Sequence, residues 1–304
     1  MTLDSAGFLA IFWRSILLCL LANPIVPTPS SDFSSLTMNI LPQHSTKSMS
    51  DRLSTPLPQF KILGQPVHLS PDYVPWLLDR LEQGIGTHVV TMNAEIVIQA
   101  SHDRELANII ANADLVTPDG SGIIMALRLH DVEQPRYAGI DLGEDLLRLA
   151  GAPERNYPVF FYGGKPQIVK QAAQKWQTDF PDLNIVGIEH GYLDAEAQSK
   201  LLHQIHTTQP KIILVALGMP RQEIWIRDNF HLCPQAIWIG VGGSFDVWSG
   251  VKNRAPQYIR NLDLEWMYRI AQEPSRWRRA LALPRFAILA IAERIFGKDK
   301  LTAN

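Results

Sequence analysis

Six apolar, β-rich runs recur along the chain, and nearly all end in small or polar residues: HVVTMN (88–93), ADLVTPDG (113–120), YPVFFYGG (157–164), LNIVGIEHG (183–191), KIILVALG (211–218) and AIWIGVGGSFD (236–246). They alternate with helix-length segments such as PQIVKQAAQKWQTDF (166–180) and PRQEIWIRDNF (220–230). Strands that are apolar on consecutive residues are buried on both faces, and strand–helix alternation forces parallel connections. The pattern therefore predicts an α/β fold from about Gln59, with a mostly parallel sheet covered by helices on both sides. No internal repeat is present.

In such a Rossmann-like sheet, ligands bind beyond the C-terminal strand ends, where loops lead into helix N-termini. The unusual residues gather there. Thr91 and Asn93 close one run, Asp119 the next and Gly163-Gly164 a third, while Gln222 and Glu223 lie just past a fourth and Asp246 follows a fifth. One shared cleft is expected to collect them.

The stretch VTPDGSGIIMALRL (116–129) sets an acid before Gly120-Ser-Gly122. An Asp before Gly is commonly a turn former or a helix N-cap. The functional reading is a general base fixed at a strand end, with glycines clearing room for a substrate. Gly163-Gly164-Lys165 and Gly240-Val-Gly242-Gly243 match neither the dinucleotide fingerprint nor the Walker pattern, so each reads equally well as a phosphate-cradling loop and as a tight strand-to-helix turn. His203 and His206, three apart, have no third ligand nearby and read as solvated histidines, and no Asp-x-Asp metal motif occurs. Neither a metal nor a cofactor is expected.

A formal charge of −2 gives no general attraction to nucleic acid or anionic lipid. Basic character is local: residues 263–298 carry Arg269, Arg276, Arg278, Arg279, Arg285 and Arg294 among Trp266, Tyr268 and Trp277, then the apolar FAILAIAERIF. Arg285, Glu293 and Arg294 fall on one half of a helix, the pattern of an interfacial helix lying on a membrane; a solvated helix face is the plain alternative. Two cysteines, Cys19 and Cys233, are too few for a disulfide framework and suit a reducing cytoplasm.

The first fifty residues differ. GFLAIFWRSILLCLLANPIVP (7–27) is strongly apolar and precedes a Ser/Thr/Pro-rich run. No Lys or Arg precedes it, Asp4 stands where a signal peptide carries positive charge, and Arg14 interrupts it. It also falls short of the roughly 20 apolar residues of a spanning helix. Two readings stand: a membrane-associating segment, or a non-native extension with Met38 or Met49 as the start. The expected division is an N-terminal extension at 1–58, an α/β core at 59–262 and a basic, apolar helical appendage at 263–304.

In order and spacing, TMNAEIVIQA, ADLVTPDGSGIIMALRL, RYAGIDL, VFFYGGKPQIV, IEHGYL, ILVALGMPRQEIWI, IGVGGSFDVWSGVKNRAPQYI and LEWMYRIAQEPSRWRR resemble the WecG/TagA/CpsF family of glycosyltransferases, over about Phe60 to Arg279. The resemblance implies an inverting, metal-independent transferase. It would move N-acetylmannosamine or a related sugar from UDP to a polyprenyl-diphosphate-linked GlcNAc, peripherally on the inner face of the plasma membrane. It makes Asp119 the catalytic base and maps the Thr-x-Asn pair to Thr91 and Asn93 and the Pro-x-Gln-Glu motif to Pro220, Gln222 and Glu223; Gly120, Gly122, Gly163, Gly164, Asp246 and Arg254 are expected to bind substrate with them. Arg269, Arg276 and Arg279 are implied to serve the diphosphate or the membrane. Expected partners are the UDP-sugar, the lipid-linked acceptor and the membrane surface, without nucleic acid, and a homo-oligomer is compatible. Two other classes stay open at this point: a nucleotide-binding oxidoreductase and a non-catalytic membrane-surface binding protein.

Overall fold

A computed structural model describes residues 56–273, 277–297 and the backbone of 301–302. The N-terminal apolar run, its alternative starts and Arg276 lie outside the described residues. All six predicted runs form strands: β3 (Thr87–Met92), β4 (Leu115–Pro118), β5 (Val159–Gly163), β6 (Ile185–Glu189), β7 (Ile212–Ala216) and β8 (Ile237–Gly240). They make one six-stranded sheet, order β4-β3-β8-β7-β5-β6, and every pairing is parallel.

Consecutive strand residues divide between two cores because side chains alternate across a sheet. Val89, Leu115, Phe161, Leu214 and Ile239 enter one core with Leu77, Leu146, Trp176 and Phe245. On the other face Val90, Met92 and Val116 pack with Ile96, Ile123 and Phe286, and Phe160, Ile213 and Trp238 with Leu201 and Ile226. The helices in chain order are α1 (Val74–Glu82), α2 (Ala94–Ala100), α3 (Arg104–Ala111), α4 (Ser121–Leu129), α5 (Gly139–Ala150), α6 (Pro166–Asp179), α7 (Ala195–Thr208), α8 (Arg221–Asn229), α9 (Ser244–Trp248), α10 (Gln257–Asn261), α11 (Glu265–Gln272), α12 (Trp277–Ala280) and α13 (Ala282–Phe296). Local chemistry sets several starts. Asn93, Asp103 and Asp194 cap α2, α3 and α7 through their side-chain oxygens, and Pro166 opens α6.

A second, antiparallel sheet joins β1 (Gln59–Ile62), β2 (Gln65–His68) and β9 (Leu301–Thr302), the end of the chain returning to β1. The β1–β2 turn puts Leu63 and Gly64 at φ 48° and 81°, the two left-handed residues a tight hairpin needs. Leu-Gly is not one of the usual turn pairs, so the hairpin has no signature in consecutive residues.

The segment from Asp263 packs into the same compact unit as the sheet, which runs from Ser54 to Asn304. Within α13, Phe286 and Ala290 are buried in the core above α2 and α4. Glu293 accepts the Leu63 amide at 2.9 Å, Arg294 contacts Asp131 and Arg285 contacts His102. The polar residues thus take partners on the protein, Glu293 turning inward to the hairpin. Leu281, Ile288, Ile291, Ile295 and Phe296 are exposed instead. Among the described residues no helix is long and apolar enough to cross a membrane.

Candidate active site

Asp119 directly follows β4, and its amide continues the ladder by donating to the Met92 carbonyl at 2.9 Å. It does not cap α4; Gly120 occupies that position and makes no side-chain cap. The N-cap reading of this acid is therefore not realised, and Asp119, a half-buried residue, lines a cleft. Asn93, Glu95, Gly120, Ser121 and Gly122 line one side of that cleft. Arg136 and the C-terminal residues Glu265, Trp266, Arg269, Arg279 and Leu283 line the other.

The electrostatics are arranged around Asp119. Arg136 donates through Nε to the Asp119 carbonyl at 2.6 Å and through a terminal nitrogen to Glu265 at 2.6 Å. Arg269, half exposed, reaches the other oxygen of Glu265 at 2.8 Å, one helical turn away. Burial raises the pKa of Asp119 above the usual carboxylate range, the charges of Arg136 and Arg269 oppose that, and Glu265 reinforces it. For Glu265, only 4% exposed, burial also favours the neutral form, but Arg269 and Arg136 outweigh it and hold the group ionised. Arg279 lies 3.7 Å from Glu95 across the cleft mouth.

The two glycines after Asp119 clear room for protein. A Cβ on Gly122 would stand 2.9 Å from Leu283 of α13 and 3.2 Å from Ala94, and one on Gly120 would stand 3.1 Å from the Asn93 side chain. Gly122 lets the C-terminal helix seat on α4, while both residues still border the cleft.

The remaining predicted residues occupy other places. Thr91 is buried and donates to the Gly240 carbonyl at 3.2 Å, tying β3 to β8, and packs against Gly139. Asn93 spends its carbonyl oxygen on the Ile96 amide. Gly163 and Gly164 adopt positive φ and lie against Ala216 and Phe245, a tight turn at the end of β5. Gln222 fills the space above Gly240 and accepts the Gly242 amide at 3.1 Å. It also donates to Glu223 at 2.9 Å, whose second oxygen is buried with no hydrogen-bond partner; burial pushes this acid up to about 6. Asp246 pairs with Lys252 at 3.2 Å, and Arg254 holds Asp141 with two bonds of 2.6 and 2.7 Å. Of these eight, Asn93 lines the cleft around Asp119 and the other seven do not. His203 and His206 stand exposed on α7, and among the described residues no cluster of three or more His, Cys, Asp or Glu is placed to hold a metal ion.

Arg136 and Glu265 are the site residues that sequence reasoning passed over. Arg136 sits in RYAGIDL with no local peculiarity, and Glu265, four before Arg269, has the spacing of an ordinary surface helix pair.

A family model described as "Glycosyl transferase WecG/TagA/CpsF family" matches residues 60–300. The N-acetylglucosaminyldiphosphoundecaprenol N-acetyl-beta-D-mannosaminyltransferase of Bacillus subtilis (strain 168) is 36% identical over 223 residues, 73% of this chain and 84% of that protein. The protein of the same name from Bacillus spizizenii (strain ATCC 23059 / NRRL B-14472 / W23) is 37% identical over 226 residues, 74% and 86% of the two chains. With the parallel sheet, the acid at the end of β4 and the arginines gathered over it, this chain belongs to the WecG/TagA/CpsF family of glycosyltransferases.

Proposed function

We propose that the protein transfers N-acetylmannosamine, or a closely related sugar, from UDP to a polyprenyl-diphosphate-linked GlcNAc, with inversion and with Asp119 as the base. The observation that carries this reading is the Asp119 carboxyl group at a strand end in a cleft that Arg136, Arg269 and Arg279 also line. Inversion by one displacement needs one base on the acceptor side, and Asp119 supplies it: it takes the proton of the acceptor hydroxyl as that oxygen bonds to the anomeric carbon and the bond to UDP breaks. A positioned base contributes about 10² to 10⁴ in rate.

The departing diphosphate carries the developing negative charge. Arginines and the uncapped N-terminal turn of α4 stabilise it, since preorganised donors act most strongly where water is excluded. The donor has room along the strand ends. From β4 through β3, β8 and β7 to β5 there are four interstrand steps, about 19 Å in all, so an extended sugar nucleotide reaches from the Gly163-Gly164 turn to Asp119. Gln222, Glu223, Asp246 and Arg254 then belong to the nucleotide end of the site or to its supporting frame.

A lipid-linked acceptor puts the cleft at a membrane surface. The exposed stripe of Ile288, Ile291 and Ile295 on α13, with Leu281 just before it, lies on the same C-terminal segment that supplies Arg269 and Arg279. The apolar stripe enters the interfacial layer while the arginines meet the diphosphate, peripherally on the cytoplasmic face.

The experiment is a UDP-release screen of several UDP-sugars against a short-chain polyprenyl-diphosphate-GlcNAc. Release with UDP-N-acetylmannosamine is expected. No release from any UDP-sugar, with unreduced vesicle binding, would support a non-catalytic membrane binding protein instead.

A further inference from the structure

We propose that Glu265 is a positioning residue for the reaction: from the C-terminal segment it holds Arg136 and Arg269 in register over the cleft and, by occupying both cations, keeps Asp119 basic enough to accept a proton. The proposal rests on the reading of Asp119 as the base. It starts from geometry. Glu265 is buried, with one oxygen on Arg136 at 2.6 Å and the other on Arg269 at 2.8 Å. Arg136 in turn grips the Asp119 carbonyl at 2.6 Å. Base, cations and C-terminal helix therefore form one connected chain, Asp119–Arg136–Glu265–Arg269.

Two unshielded arginines beside a carboxylate would depress its proton affinity and make it a poor base, since an adjacent opposite charge favours the ionised form. They would also cling to Asp119 instead of the substrate's diphosphate. Glu265 prevents both, and its own like charge adds to the effect of burial on Asp119. The charged and titratable groups of the packed elements are Glu95 on α2, Arg136 before α5, Asp263, Glu265 and Arg269 at α11, Arg279 on α12, and Arg254, whose charge also reaches Glu265. The Gly139 amide at the start of α5 opposes the shift. Of these, Glu265 alone is hydrogen-bonded to both arginines. A buried acid with two cationic partners is costly to assemble and is justified when its position matters.

The test is a carboxyl ¹³C NMR titration of Asp119 in the full chain, assigned with Asp119→Asn, alongside the pH profile of kcat/KM for UDP release. Glu265→Gln removes the charge at constant shape and is expected to move the Asp119 midpoint downward by on the order of one unit, with the acid limb of the profile following. Glu265→Asp keeps the charge and is expected to leave the midpoint near that of the native protein. A folded Glu265→Gln protein with an unmoved or raised midpoint overturns the proposal, as does an equal fall in Glu265→Asp. Should Glu265→Gln not fold, the double variant Glu265→Gln/Arg269→Gln is compared with Arg269→Gln alone: the double variant must show the lower Asp119 midpoint, and an equal or higher one overturns the proposal. If the native protein releases no UDP from any donor, the transferase reading fails, while the titration still settles whether Glu265 controls Asp119.

Discussion

Asp119 and Glu223 are both acids whose proton affinity burial raises, and they predict opposite things. Asp119 faces the cleft, so Asp119→Asn is expected to leave UDP binding nearly intact and to lower turnover by about two orders of magnitude or more. Near-normal turnover would make this acid a turn former. Glu223 is 2% exposed with an unpartnered oxygen, and its folded pKa of about 6 lies above the ordinary 4.5. A raised folded value means the folded state binds the proton more tightly. The favourable contribution is full below about pH 4.5 and is lost as pH rises through about 6. Glu223→Gln, neutral at every pH, should therefore stabilise the protein by about 2 kcal/mol at pH 7.5 and by almost nothing at pH 4. Thermal unfolding at the two pH values checks this, and an equal gain at both would discard the burial argument. The sequence showed an acid before glycine and an acid after glutamine, but which of the two meets solvent was not written there.

At the scale of elements, the seating of α13 on α2 and α4 depends on Gly122. Gly122→Ala places a methyl group 2.9 Å from the flexible end of Leu283 and 3.2 Å from Ala94, so part of the strain relaxes. A loss of about 1 kcal/mol is expected, about 2–4 °C in Tm, with faster proteolysis between α11 and α13 and reduced turnover. Unchanged proteolysis would show that the helix does not need this close approach. The strands were legible because runs such as KIILVALG admit little else. The β1–β2 hairpin was not, since four-residue strands joined through Leu63-Gly64 carry no distinctive turn chemistry.

Taken whole, the molecule builds its site from two stretches far apart in the sequence: strand ends supply the acid, and the last helices supply two of the cations and the apolar outer face. Truncation before Trp266 removes Arg269, Arg279, the buried Phe286 and the Glu293 bond to Leu63. The remaining sheet should stay folded with a lower Tm, release no UDP with a lipid acceptor, and lose vesicle binding. Undiminished turnover would separate the C-terminal segment from catalysis. Changing Ile288, Ile291 and Ile295 together to Ser should abolish flotation with vesicles while UDP release on a soluble acceptor analogue persists, because these side chains touch neither the cleft nor the core.

The sequence by itself determined the parallel sheet and the acid at the end of β4, because hydrophobic period and chain-local turn chemistry are written in consecutive residues. It also carried the family, through motifs whose order and spacing survive in the linear text. Only the tertiary structure decided that Glu265, 146 residues beyond Asp119, stands buried between Arg136 and Arg269, and that Gly122 receives a helix. Burial and partnership between distant segments arise when the strand order and the docking of α13 bring those segments together, and no window along the chain contains both members of such a pair.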